Sequence, residues 1–286
     1  MKLNRIELAD IHSPKVLARI LRQQLGDTGP RADIFAVAKA LDIDQIELDI
    51  FDGFEGMLLT DRVRSRGAIL ANTRHGMKRV RFTVAHELGH FLLEKHALTD
   101  TEGFRCRSQD MQETLESRQE LKQETQANQF AIEFLAPAPK FEFYLSEGPD
   151  LKDAETAGDV FGISLEASVR RLVDLRPEAL AAVWSHKGRI RYHHRANGFP
   201  WINRKSGTVI ASTTPAFQAI STGNIGISNL AETHPTSWTD TFGLDLWEQT
   251  RVGYDGHAVT LLWAERPESD GAENDEFEEL GMPRFR

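Results

Sequence analysis

The chain has 286 residues and a formal net charge of −9, with 40% hydrophobic and 27% charged residues. This composition is close to that of globular proteins, which excludes a mostly disordered chain, and the acidic balance argues against a protein that coats nucleic acid. Its apolar runs are a few residues long, far below the ~20 that span a bilayer, so no integral membrane protein is expected.

Residues 1–145 are predicted to form one domain of helices and short strands. Apolar residues at helical spacing predict helices, and short β-rich runs predict strands. The predicted helices are 13–25, 31–41, 78–95 and 112–135, and the predicted strands are 45–51, 55–59 and 67–72. A basic turn at 61–66 separates the last two strands, and Pro137 and Pro139 end the last helix.

After residue 145 the pattern of the sequence changes twice. Two short helices around Gly162 and Ser164 predict a helix-turn-helix-like segment at 146–177. From 178 to 266 the period becomes two, and Asp255-Gly256 is a strong hairpin signal, so this part is predicted to be β-rich. The final 20 residues, 267–286, hold seven acidic residues against two arginines and are predicted to be a disordered tail.

The N-terminus and the cysteine content predict a cytoplasmic protein. Met1–Glu7 mixes charged with apolar residues and has no apolar signal-peptide segment. Cys106 is the one cysteine, so the fold cannot depend on an internal disulfide.

The residues with recognisable chemistry are concentrated in one short segment. His86 and His90 are four residues apart, which on a helix places both on one face, where their imidazoles can bind one metal ion. Zinc suits this pattern, and Glu87 is the residue type that takes a proton from water at the open coordination position. The surrounding residues are mostly apolar, a setting that favours a metal site over a chance match.

Two residues compete for the third ligand position that catalytic zinc requires. His96 stands where metzincins place a third histidine, but Leu93 occupies the position of the glycine that breaks the helix. On a continuous helix, His96 would face away from the metal, about 240° from His90. Glu124 is preferred, because small residues such as Ala127 on its helix face allow a close approach.

Two longer segments, 81–90 (RFTVAHELGH) and 124–137 (ETQANQFAIEFLAP), resemble the ImmA/IrrE family of bacterial and phage metallo-endopeptidases. The resemblance covers residues from about 30 to 176. It implies an α+β, zincin-like peptidase fold with zinc held by His86, His90 and Glu124, and with Glu87 as the catalytic base. Because members cleave helix-turn-helix repressors, it also implies an XRE-type repressor as the protein substrate and a role in derepressing stress or mobile-element genes. The β-rich part stands where IrrE has a sensor-like domain, but it contains no motif that can be matched to that domain.

Two alternatives compete with a peptidase. The helix-turn-helix segment predicts a DNA-binding surface, diluted by nearby acidic residues. The side chains that would contact DNA are Ser168, Arg170 and Arg171, with Arg62, Arg64, Arg66, Lys78, Arg79 and Arg81 at the phosphates. The other alternative is a toxin–antitoxin-type regulator with a structural metal, against which Glu87 argues, because a structural site needs no base.

Two further hypotheses concern the surroundings of the metal. The strands at 56–59 and 68–70 are candidates for a sheet edge that binds substrate as an added strand, although both could equally form core. Cys106 lies in a stretch predicted to be irregular, between Arg105 and Arg107. It is either an inert small residue or a thiolate that blocks the open metal position.

Overall fold

The computed structural model describes residues 3–96, 103–106 and 119–265. The chain divides into two compact units, one of Met1–Pro177 with His194–Ala196 and the other of Glu178–His193 with Asn197–Arg286. Both units combine helices with a sheet, so the predicted α+β class is confirmed. The predicted tail and residues 112–118 lie outside the described residues, and the finer division into four domains stays a prediction. No helix in the described ranges is long and apolar enough to cross a membrane.

The first unit contains a four-stranded sheet and seven α-helices among its described residues. Its strands are β1 (Ile43–Asp49), β2 (Gly56–Thr60), β3 (Gly67–Asn72) and β4 (Gly103–Cys106). Its helices are α1 (Pro14–Leu25), α2 (Ile34–Ala40), α3 (Met77–Leu92), α4 (Gln119–Leu135), α5 (Ala138–Glu142), α6 (Leu151–Phe161) and α7 (Leu165–Leu175). A short 3-10 turn, Ile6–Leu8, precedes them.

Helix α3 forms the centre of this unit. It packs on β2 and β3 on one side and on α4 on the other, and α1 covers α4. All but four of its sixteen residues are buried, including both histidines and the glutamate of the motif. A helix buried nearly all round is one that other elements enclose.

The order of strands in the sheet is β1-β3-β2-β4. Strand β1 runs parallel to β3, whereas β2 is antiparallel to both β3 and β4. The prediction of a free edge at 56–59 or 68–70 is therefore wrong, because β2 and β3 are the inner strands. Among the described strands the edges are β1 and β4. Strand β4 lies in the stretch predicted to be irregular, with Cys106 opposite Gly56.

The two helices predicted around Gly162 are confirmed as α6 and α7. Gly162 ends α6 with a left-handed φ of 66°, and the Ser164 hydroxyl accepts a hydrogen bond from Ala167 N at 3.1 Å to begin α7. Two side chains that were predicted to contact DNA point inward instead. Ser168 is buried and donates to Ala154 O, and Arg171 is buried against Glu133 at 2.5 Å.

The basic residues near α3 also form contacts within the protein. Arg64 and Arg81 are buried, and Arg81 donates to backbone carbonyls that include Ala32 O at 3.1 Å. Lys78 forms an ion pair with Asp159 at 2.6 Å. The expectation of phosphate contacts is therefore wrong for Arg64 and Arg81. For Lys78, whose side chain is 44% exposed, it stays a prediction.

The second unit is built around a six-stranded sheet of order β6-β5-β10-β9-β7, with β8 also paired to β9. Its strands are β5 (Ala179–His186), β6 (Arg189–Arg195), β7 (Gly226–Ile227), β8 (Ala231–Glu232), β9 (Asp245–Val252) and β10 (His257–Glu265). Helix α8 (Pro215–Thr222) packs on β9, and 3-10 turns span Pro235–Ser237 and Tyr254–Gly256. Asp255 and Gly256 both have positive φ in the turn between β9 and β10, which confirms the predicted hairpin.

The core of the second unit encloses one carboxylate. Glu248 is fully buried and accepts hydrogen bonds from Trp238 Nε1 at 2.7 Å and from Ala216 N at the start of α8. Burial raises the pKa of Glu248, although these donors oppose the shift.

Candidate metal centre

Helices α3 and α4 bring three ligand-type side chains to one point. The Nε2 atoms of His86 and His90 are 3.1 Å apart, and they lie 3.1 and 3.2 Å from the two carboxylate oxygens of Glu124. Both imidazoles are fully buried, whereas the Glu124 side chain is 15% exposed. The structure therefore groups the three residues that the sequence predicted as ligands, from positions 38 and 34 residues apart in the chain.

The chemistry and spacing of this triad fit a zinc ion. Zinc bonds to nitrogen and oxygen are about 2.0–2.2 Å long, so tetrahedral ligand atoms stand about 3.3 Å apart. The separation of 3.1 Å between the two Nε2 atoms is close to that edge length. Each Nε2 atom also has a Glu124 oxygen at a similar distance, Oε2 for His86 and Oε1 for His90. Two neutral imidazoles and one carboxylate are a common ligand set of catalytic zinc, with a fourth position left open.

Close packing between the two helices makes the triad possible. Gly89 lies between the two histidines and faces α4, where an added methyl group would stand 3.0 Å from Phe130 Cδ1 and 3.4 Å from Ala127 Cα. Ala127 and Ala131 are fully buried on the facing helix. Small residues on both helices thus let the short Glu124 side chain reach the histidines, as the small-residue face of α4 predicted.

The other nitrogen of His86 is held by Asn128, one helical turn after Glu124. The distance from His86 Nδ1 to Asn128 Oδ1 is 3.0 Å. Because an amide oxygen only accepts, the imidazole donates its Nδ1 proton and keeps its Nε2 lone pair for a metal. The position of Asn128, four residues after Glu124 on the same face of α4, is the sequence signal that could have identified it.

His96 lies beside the site rather than in the triad. The predicted helix continues to residue 95, but α3 ends at Leu92, and the chain turns so that His96 Nδ1 lies 3.0 Å from His90 Nδ1. The expectation that His96 faces away from the metal histidines is therefore wrong, although its exclusion from the triad agrees with the structure. Buried Arg64 stabilises this turn by donating to Leu93 O at 3.1 Å and to His96 O.

Burial and the Glu124 carboxylate oppose each other in setting the charge of the site. Burial would raise the pKa of Glu124, but contacts with both histidines hold it well below its usual range. Burial lowers the pKa of His90 and lowers that of His96 to about 3, whereas contact with Glu124 outweighs burial and raises the pKa of His86. The site is thus arranged around an ionised carboxylate.

Glu87 is fully buried and lies against strand β2. A methyl group on Gly56 would overlap the Glu87 carboxylate and the Thr83 side chain, so only glycine fits this position of the strand. The Glu87 carboxylate is close enough to contribute to the raised pKa of His86. The sequence identified Glu87 from its motif, but it gave no signal for the role of Gly56.

The site and fold define a metallopeptidase-type domain, and comparison with known families agrees. Residues 38–173 match the family model of the IrrE N-terminal-like domain, Peptidase_M78. This part of the chain therefore belongs to that family, and the resemblance to ImmA/IrrE is confirmed. The match includes α3 and α4, and it stops before the second unit.

A solved structure of a Mycobacterium tuberculosis transcriptional regulator is similar to this chain, with a TM-score of 0.54 and 15% identity. The similarity covers 91% of this chain and 78% of that one, and at this identity it concerns the fold alone. No curated protein matches the sequence.

Proposed function

We propose that the protein is a zinc-dependent metallo-endopeptidase that cleaves a helix-turn-helix transcriptional repressor of the XRE type. The observation that carries the proposal is the triad of His86, His90 and Glu124 beside the buried carboxylate of Glu87, within a peptidase-family domain. Cleavage of the repressor would derepress stress or mobile-element genes. The acidic, cysteine-poor chain is suited to the cytoplasm, where such repressors act.

In this mechanism the protein side chains hold the metal and move one proton. Zinc, when bound, supplies a Lewis acid that polarises the scissile carbonyl and acidifies a water molecule. The Glu87 carboxylate would accept a proton from the attacking water and pass it to the departing amine as the C–N bond breaks. Asn128 keeps His86 in the tautomer that binds metal.

A cleft beside the triad is suited to a substrate side chain. It has a volume of about 420 Å³ and lies along α3, α4 and α7. Most of its lining side chains are polar or charged, and they include Asn128, the partner of His86, with apolar Phe82 and Ile132 beside them. Phe82 is one turn before His86 on α3, and the two rings are 6.4 Å apart. A residue next to the scissile bond would place its side chain here.

The decisive experiment distinguishes the role of the proposed base from that of the proposed zinc ligands. Glu87→Gln is expected to keep zinc and helix content while losing about 10²–10⁴-fold in cleavage of the repressor encoded nearest the gene, because it removes the base alone. His90→Ala is expected to lose zinc, measured by metal analysis of the purified protein. Glu94→Gln, an exposed glutamate seven residues further on, is the matched control and should behave as the parent.

Three results would contradict the proposal. Cleavage by Glu87→Gln at the parent rate would refute the mechanism, and stoichiometric zinc in His90→Ala would refute the ligand set. Zinc binding without cleavage of the repressor by the parent protein would favour a regulator with a structural metal.

A further inference from the structure

We propose that His96 and Gln126 are positioning residues that fix the tautomer of His90 and so set the zinc affinity of the site. The inference rests on the proposed metal site and adds a pair of side chains outside the triad. The observation is a continuous chain of contacts from His90 Nδ1 to His96 Nδ1 at 3.0 Å, and from His96 Nε2 to Gln126 Oε1 at 3.1 Å.

Metal binding fixes the position of the ring proton of His90. Its Nε2 atom points at His86 and Glu124, so metal binding requires a lone pair there and places the single ring proton on Nδ1. That Nδ1 proton points at His96 Nδ1, which must then accept it. A neutral imidazole that accepts at Nδ1 carries its own proton on Nε2.

Gln126 supplies the acceptor that this arrangement needs. Its Oε1 atom faces His96 Nε2, and an amide oxygen accepts but cannot donate. If His96 instead carried its proton on Nδ1, two lone pairs would meet at Gln126 and two protons at His90. The orientation of one amide on α4 therefore determines which nitrogen of His90 is left for the metal.

The backbone around His96 is held as firmly as the side chain. The residue is 3% exposed, and the Arg64 guanidinium bonds to its carbonyl oxygen and to that of Leu93. The His96 and His90 rings meet edge to face with centroids 4.9 Å apart. A side chain held in this way can orient its neighbour, because it has little freedom to turn away.

Zinc affinity of the full-length protein, measured by competition with a chromophoric chelator, tests the proposal. We expect His96→Ala and Gln126→Ala each to weaken zinc binding by about 10–100-fold, the usual effect of removing such a partner. His96→Asn keeps an acceptor oxygen near Nδ1 and should recover most of the loss. Gln123→Ala, a glutamine of the same helix, is the matched control and should bind as the parent.

The proton positions can be read directly in the parent protein. In zinc-loaded protein with ¹⁵N-labelled histidine, long-range proton–nitrogen spectra should show the His90 proton on Nδ1 and the His96 proton on Nε2. A His96 proton on Nδ1, or parent-like zinc affinity in both alanine variants, would overturn the proposal. Because the spectra are recorded on the parent protein, they test the proposal even if a variant fails to fold. Neither measurement uses cleavage, so a failure of this proposal can be distinguished from a failure of the proposed peptidase activity.

Discussion

Gly56 leaves room for the side chain that would act as the base. A methyl group there overlaps the Glu87 carboxylate and the Thr83 side chain, and neither can retreat because both are fully buried in α3. We therefore expect Gly56→Ala to lower repressor cleavage by about 100-fold through displacement of the base. Zinc content should stay near that of the parent, because no ligand of the triad touches this position of β2.

The control for this substitution is Gly148→Ala. An added methyl group at Gly148 has no neighbour within 4 Å, and its backbone needs no positive φ. It should leave both cleavage and zinc unchanged. Parent-like cleavage by Gly56→Ala would show that Glu87 does not need the space that this glycine provides.

Among individual residues, the sequence predicts those whose roles depend on local spacing. His86, His90 and Glu87 follow from helical geometry, and Glu124 follows from the small residues on its face. His96 and Arg64 depend on the residue at which α3 ends, and a periodic pattern does not determine that end within a turn. Arg64 looks like one member of a basic turn, yet it is buried on two carbonyls because the chain after α3 folds back over it.

Helices α3 and α4 are held together where Gly89 meets Phe130 and Ala127. Gly→Ala in an exposed helix stabilises by about 1 kcal/mol, but overpacking a buried contact costs about 1–3 kcal/mol. With the new methyl group 3.0 Å from Phe130 Cδ1, we expect Gly89→Ala to lower the free energy of unfolding by about 1 kcal/mol. Because α4 carries Glu124, zinc affinity should fall as well. Urea unfolding measures the change in stability, and chelator competition measures the change in zinc affinity.

Gly158→Ala is the matched control, since it is also a helical glycine of the first unit. Its added methyl group would have ordinary contacts at 3.5–3.6 Å, so it should be neutral or slightly stabilising and should not change zinc affinity. A stabilised Gly89→Ala with unchanged zinc affinity would contradict the idea that close approach of the helices sets the triad.

The elements themselves were predicted more accurately than their arrangement. Helical periodicity predicted α1, α3 and α7, and the Asp-Gly turn predicted the β9–β10 hairpin, because these signals are local. The order β1-β3-β2-β4 depends on which strands pair over long distances, so the sequence placed the free edge on β2 or β3. Strand β4 has only four residues, too few to show an alternating pattern.

On the scale of the whole molecule, the metal triad and the tryptophans lie in different units. The triad lies in the first unit, as do the described helices of eleven or more residues. All five tryptophans are in the second unit: Trp184, Trp201, Trp238, Trp247 and Trp263. The helix signal in circular dichroism therefore reports mainly on the first unit, and tryptophan fluorescence reports on the second.

This separation predicts how zinc removal affects unfolding. A ligand that binds only the folded state at 1,000 times its Kd stabilises by about 4 kcal/mol, or about 10 °C for a unit of this size. We expect EDTA to lower the thermal midpoint followed at 222 nm by about that amount, and to change the tryptophan midpoint much less. His90→Ala should show the lower 222 nm midpoint without EDTA and should not respond to it. An equal shift of both midpoints in the parent would instead mean that zinc binding stabilises the second unit as strongly as the first.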